Sequence, residues 1–451
     1  MTDEFSDLAE LMREEHELTD GLADVDAEAH LRRRRRRRIA LLVTAIILVT
    51  ILGTAGGYVA WALNAPLPAP AATSQQPAAP ASPAAPIVLP DGTASAISIS
   101  GADAYLGPSA AGIWATTGTD DPRPMASISK LITALVVLDA KPLADANDEG
   151  PTITFGKADH DLYDKYYVMG ATIAPMPIGT SMSERQALAA ALIPSASNYA
   201  EAVSTWAYGS QGAFVSAARR WLAANGLTGT TFVEPTGMSE RNTSTPTDLI
   251  AVARLAAANP TIAAIAATPS MALPGAGMVH NTNALLGTEG ITGLKTGNLG
   301  YGSYNLVYTA SMDVGIGQPL QVVGVVLGDN TREGVDNDVR GLLSSIRGGF
   351  HHVPVATHGQ QVGEYRTPWG STAKIVIAQE ASILTWSDTP ISVEMQTTTP
   401  KTYTDGEEVG SITWTAGPQT TSIPLVVEGS VEPPDDWWRL THPEELGAPW
   451  S

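Results

Sequence analysis

The chain has 451 residues, 44% of them apolar, a formal net charge of −20 and no cysteine. That length supplies two or three folded units with a sizeable core. The absence of cysteine excludes disulfides, a thiolate nucleophile and any cysteine-bearing metal or iron–sulfur site. The acidic balance argues against nucleic acid as a partner.

Residues 1–38 are polar and charged and end in an arginine run, Arg32 to Arg38. An uncharged stretch, "IALLVTAIILVTILGTAGGYVAWAL", follows over residues 39–63 and is long enough to span a bilayer. Arginines on its N-terminal side place that side in the cytoplasm, and Tyr58 and Trp61 suit the far interface. The expectation is a single-pass transmembrane anchor, a cleaved signal being the alternative, with everything after residue 63 outside the cytoplasm. The acidic segment "DEFSDLAELMREEHELTD" reads as a disordered cytoplasmic tail, or as a short helix that pairs with the arginines.

Residues 64–87, rich in proline, alanine and serine, read as a semi-extended spacer. From residue 88 to 350 strand patterns lead into helices and then return to strands, which describes an α/β unit with a helical subdomain. The apolar run Leu131, Ile132, Leu135 and Leu138 predicts one buried helix face. "STPTDLIAVARLAAAN" carries a full helix start, with Thr245 as N-cap, Pro246 first inside and Asp248 in the first turn. Residues 351–430 alternate with turn residues between, as a small all-β domain does, and residues 431–451 form an acidic, tryptophan-bearing tail.

Several stretches could carry chemistry. Ser127 and Lys130 stand three apart at a helix start, where hydroxyl and amine are neighbours. A second pair with the same spacing, Ser371 and Lys374, lies in a strand pattern, where residues three apart face opposite ways, and reads as structural. "GLKTGNLG" puts Lys295, Thr296 and Gly297 on a strand edge that could hold a carboxylate beside an extended peptide. Ser195 opens a polar cluster in "IPSASNYAEA", which is equally readable as a helix cap. The histidines of "HHVPVATH", His351, His352 and His358, have no hydrolase signature around them, and no metal site is expected there.

In the order Ser-x-x-Lys, serine cluster, Lys-Thr-Gly, these motifs match the set found in penicillin-binding proteins and class A β-lactamases. With "RPMASISKLITAL", "IPSASNYAEAV", "PTGMSERNTSTPTDL" and "NTNALLGTEGITGLKTG" in the same order, the chain resembles the low-molecular-mass penicillin-binding proteins that are D-alanyl-D-alanine carboxypeptidases. The resemblance covers roughly residues 90–345. It implies a penicillin-binding, serine β-lactamase-like transpeptidase fold with a β domain behind it. It also implies that Ser127 attacks the carbonyl between two terminal D-alanines of a peptidoglycan stem peptide and that Lys130 takes the serine's proton. Ser195 would relay the proton to the leaving D-alanine, while Lys295 and Thr296 hold the terminal carboxylate. The backbone N–H groups of Ser127 and of Asn298, after Gly297, would form the oxyanion hole. No cofactor is implied, and β-lactam antibiotics would acylate Ser127.

One departure stands out. The family's middle motif is Ser-x-Asn, whereas this chain reads Ser195, Ala196, Ser197, with the asparagine one later at Asn198. Either Ser197 or Asn198 would contact the substrate amide. Two alternatives remain at this level: a β-lactamase-like serine hydrolase, and a catalytically weakened cell-wall-binding homologue.

Overall fold

The computed structural model describes residues 4–447. Glu4–Asn64 form one helix, so the segment read as a disordered tail continues the apolar stretch. Within it His30–Asn64 is long and apolar enough to cross a membrane. The pairing considered between the acidic segment and the arginines concerns side chains outside the described residues, as do tail residues 448–451.

The peptidase-like unit is built on a five-stranded antiparallel sheet. Its order is Ile291–Asn298, Tyr304–Met312, Leu320–Asp329, Ala94–Ser100 and Ala115–Thr117. Strand periodicity of two sends Val307, Val325 and Leu327 to one face and Leu306, Tyr308, Val322 and Val326 to the other. The first face is covered by the helical part of the chain, including Ser129–Ala140 and Pro246–Ala258. The second is covered by Arg332–Gly349 through Val335, Val339, Leu342, Leu343 and Ile346. Thr245 caps the Pro246–Ala258 helix by accepting from Asp248 N, with Pro246 first inside, as its sequence predicts.

The Ser129–Ala140 helix departs from expectation in its surroundings. All residues from Ser129 to Leu138 are buried, so it is a central core helix rather than one with a single covered face. It starts from one turn of 3₁₀ helix, Ala126–Ile128, and Ser127 sits in that turn.

A six-stranded antiparallel sheet makes the second unit, with Trp414 fully buried in its core. Its outermost strand is Ala71–Ser74, from the stretch read as a spacer. That stretch is therefore extended but docked. The Gln76 amide reaches the opposite edge strand, donating to Val393 O at 3.0 Å and accepting from Met395 N at 3.2 Å, as a backbone peptide would. The tail is docked as well. The Arg439 guanidinium donates to the Ala65 carbonyl at 3.1 Å and the Leu63 carbonyl at 3.3 Å, at the end of the long helix, and Leu446 packs on Ala62 and Ala65. Cationic donors suit these unpaired C-terminal carbonyls.

Candidate active site

The turn holding Ser127 is shaped by close approach from two sides. Ala126 has φ of +50°, a left-handed conformation unfavourable for a residue with a Cβ. Gly237, at φ +79°, lies flat against this peptide, and a Cβ there would overlap the Ala126 carbonyl. From the sheet side, a Cβ at Gly297 would stand 2.7 Å from Met125 O and 3.1 Å from the Ala126 Cβ. Only glycine lets the edge strand come this near the Ser127 turn.

Lys130 Nζ is 2.9 Å from Ser127 Oγ and donates to Thr236 O at 2.7 Å. The amine is 1% exposed, and burial pulls its pKa down from 10.5 to about 7, against the opposing charge of Glu234. An amine that gives up its proton near neutrality, one hydrogen bond from a hydroxyl, is an activated nucleophile pair.

Ser127, Ser195, Ser197, Thr296, Gly297 and Asn298 line one cleft of about 380 Å³. Fold topology thus brings together motifs up to 171 residues apart, for Ser127 and Asn298. Ser195 has φ of +68° and a buried hydroxyl without a hydrogen-bond partner among the described residues. Thr296 Oγ1 is 2.7 Å from Thr282 Oγ1.

Three placements depart from a plain reading of the motifs. Asn198 is fully buried, donating to Ala174 O at 2.8 Å and accepting from Ala174 N at 3.2 Å. Its amide is therefore spent on the Met169–Ala174 segment, part of which walls the cleft, and Ser197 is the residue that faces the cleft. Lys295 is 1% exposed, with its amine on Thr296 O at 3.2 Å. Burial, together with the charges of Lys130 and Arg332, holds it well below an ordinary lysine. The cation that does line the cleft is Arg332, the first residue of the Arg332–Gly349 helix. No motif flagged it, because its place in the cleft wall depends on helix-to-sheet packing.

The other Ser-x-x-Lys pair is structural in all its contacts: Ser371 Oγ accepts from Glu432 N at 2.9 Å, and Lys374 pairs with Glu428 at 3.1 Å. His351 Nε2 is 3.1 Å from Ser82 Oγ and its Nδ1 is 3.1 Å from Gly349 O, an inter-segment tie.

Similarity to known proteins points to one family. The family model described as D-alanyl-D-alanine carboxypeptidase matches residues 106–331, half of the chain. D-alanyl-D-alanine endopeptidases of Pseudomonas aeruginosa and Escherichia coli are 36% identical over 127 residues and 34% identical over 128 residues. Each match takes in 28% of this chain, which spans only 37% of those relatives' length. Among solved structures, penicillin binding protein 5 of Haemophilus influenzae is similar at 17% identity and a TM-score of 0.49, over 77% of this chain and 98% of that one. A Streptomyces DD-transpeptidase is similar at 24% identity and a TM-score of 0.47, over 58% and 97% respectively. Carrying the family's motifs in order around one cleft, the chain belongs to the D-alanyl-D-alanine carboxypeptidase family of serine peptidases.

Proposed function

We propose that the protein is a serine D-alanyl-D-alanine peptidase that works on peptidoglycan stem peptides outside the cytoplasm, held by its N-terminal helix. The observation that carries this reading is the 2.9 Å contact between Ser127 Oγ and a Lys130 amine whose pKa is drawn to about 7. Neutral Lys130 accepts the Oγ proton as the oxygen attacks the carbonyl of the penultimate D-alanine. The backbone N–H groups of Ser127 and Asn298 receive the developing oxyanion. The proton passes by way of the Ser195 hydroxyl to the departing amine, and water then releases the acyl group. Thr296 and Arg332 take the substrate carboxylate in the cleft, and the buried Lys295 amine supports that strand by donating to Thr296 O. β-Lactam antibiotics follow the same first step and stop at the acyl-enzyme.

Removal of a terminal D-alanine is the primary reading. Cleavage of cross-links is the second, favoured by the endopeptidase names of the similar proteins in Pseudomonas aeruginosa and Escherichia coli. The arginine run before the apolar helix supports a cytoplasmic N-terminus. The full-length protein and Ser127→Ala should be incubated with a fluorescent penicillin, then with a pentapeptide stem and with a cross-linked dimer. Labelling and D-alanine release are expected from the wild type alone. Labelling that survives Ser127→Ala refutes the assignment, and cleavage of the dimer without the pentapeptide selects the second reading.

A further inference from the structure

The segment "EPTGMSERN", Glu234 to Asn242, contributes no side chain to the steps above, yet it encloses the nucleophile turn. We propose that Glu234 is a positioning residue for Lys130: its carboxylate folds the turn that sets the Thr236 carbonyl on the amine and so aims the amine's lone pair at Ser127. This deepens, and rests on, the serine-peptidase reading.

The geometry is one of complete use. Glu234 Oε2 accepts from Thr236 N at 2.7 Å and from Thr236 Oγ1 at 2.6 Å. Oε1 accepts from Ser239 N at 3.2 Å and from Asn242 Nδ2 at 3.1 Å. Four donors converge on two oxygens, which uses the full acceptor capacity of a carboxylate. The turn so folded touches the Ser129–Ala140 helix and the 3₁₀ turn before it at three points. Thr236 O accepts from Lys130, Pro235 O accepts from Thr133 Oγ1 at 2.7 Å, and Gly237 lies on the Ala126–Ser127 peptide. Asn242 closes the ring, donating to Ser129 Oγ at 3.0 Å while its carbonyl accepts from Met125 N at 2.9 Å.

The consequence for the amine follows from its valence. A neutral lysine amine has two hydrogens and one lone pair. With one hydrogen held on Thr236 O, the rotamer that wastes the lone pair on that carbonyl is excluded, which raises the share in which the lone pair faces the Ser127 hydroxyl proton. Without that carbonyl the amine would spend more of its time with a hydrogen towards Oγ, as a donor and not a base.

Glu234 also acts through its charge. The titratable groups around the amine are Glu234 on this turn and Lys295 on the facing strand, with Arg332 beyond Lys295. Tyr166, hydrogen-bonded to Glu201, also feels the Glu234 charge. Of these Glu234 raises the Lys130 pKa, so removing its charge lowers the pH at which the base becomes available.

The test is the rate of acylation by a fluorescent penicillin as a function of pH, on the full-length protein in detergent, for wild type, Glu234→Gln, Glu234→Asp and Ser127→Ala. Glu234→Gln places an NH2 against two donors. Its plateau rate is expected to fall by about tenfold to a hundredfold, with the acid limb of the profile moved to lower pH. Glu234→Asp keeps the charge but is one methylene short, so its plateau falls while its acid limb stays at the wild-type pH. Thermal unfolding is measured alongside. Variants that melt lower but keep the wild-type plateau and limb show a merely structural glutamate and overturn the proposal. So does an acid limb that moves equally in Glu234→Asp. Loss of labelling in Ser127→Ala belongs to the underlying reading, which stands or falls by that variant alone.

Discussion

Replacing Lys130 by methionine separates what the buried amine does for chemistry from what it costs the fold. The side chains are of similar length, so packing in the core helix is kept. A lysine held at about 7 instead of 10.5 binds fewer protons folded than unfolded between those two values. Stability therefore rises with pH across that window, and the charging penalty is fully present below pH 7. At 1.36 kcal/mol for each pH unit it amounts to about 5 kcal/mol below pH 7 and to about 1 kcal/mol at pH 10. Against this, Lys130→Met leaves the buried Thr236 carbonyl unpaired, which costs about 2–3 kcal/mol. The variant should thus be more stable than wild type by about 2 kcal/mol at pH 6 and less stable by about 1–2 kcal/mol at pH 10. In thermal unfolding followed by circular dichroism in detergent, that corresponds to a rise of about 4–8 °C at pH 6. Penicillin acylation should be lost at every pH, while the wild-type rate climbs through about pH 7. A stability difference that is the same at pH 6 and pH 10 would refute the claim that Lys130 is an uncharged base at work.

Gly297→Ala forces its Cβ to within 2.7 Å of Met125 O, so it should cost about 1–3 kcal/mol and slow acylation at least about tenfold by moving the edge strand off the nucleophile turn. Asn198→Ala removes both bonds to Ala174 and should destabilise by about 2–3 kcal/mol, read in thermal melts. Ser197→Asn, at the position that faces the cleft, should keep or raise the acylation rate, and the reverse pattern would give Asn198 the substrate role. Arg332→Ala should hurt D-alanyl-D-alanine peptides far more than a neutral ester substrate, with Lys295→Ala affecting both; equal losses in kcat/KM from Arg332→Ala would exclude a carboxylate contact.

What the sequence determined by itself was whatever depends on neighbours along the chain. The three-residue step from Ser127 to Lys130, the Thr245 cap and the alternation of the strands are short-range physics, and each has the expected local geometry. The motif order also identified the family, since several weak patterns in a fixed order are together specific. Tertiary structure decided the rest, because it alone sets which long-separated groups meet. Whether Ser197 or Asn198 faces the cleft turns on the Ala174 backbone, 24 residues away. Arg332 enters the cleft through packing of a helix whose own sequence carries no signature. The linker became an edge strand because Tyr365 and its neighbours offered an unpaired strand edge, which local composition does not announce. Nor could periodicity show that the Ser129–Ala140 helix is covered on every side. That burial lowers the pKa of Lys130, so the group named by the motif owes its proposed role as a base to contacts more than a hundred residues distant.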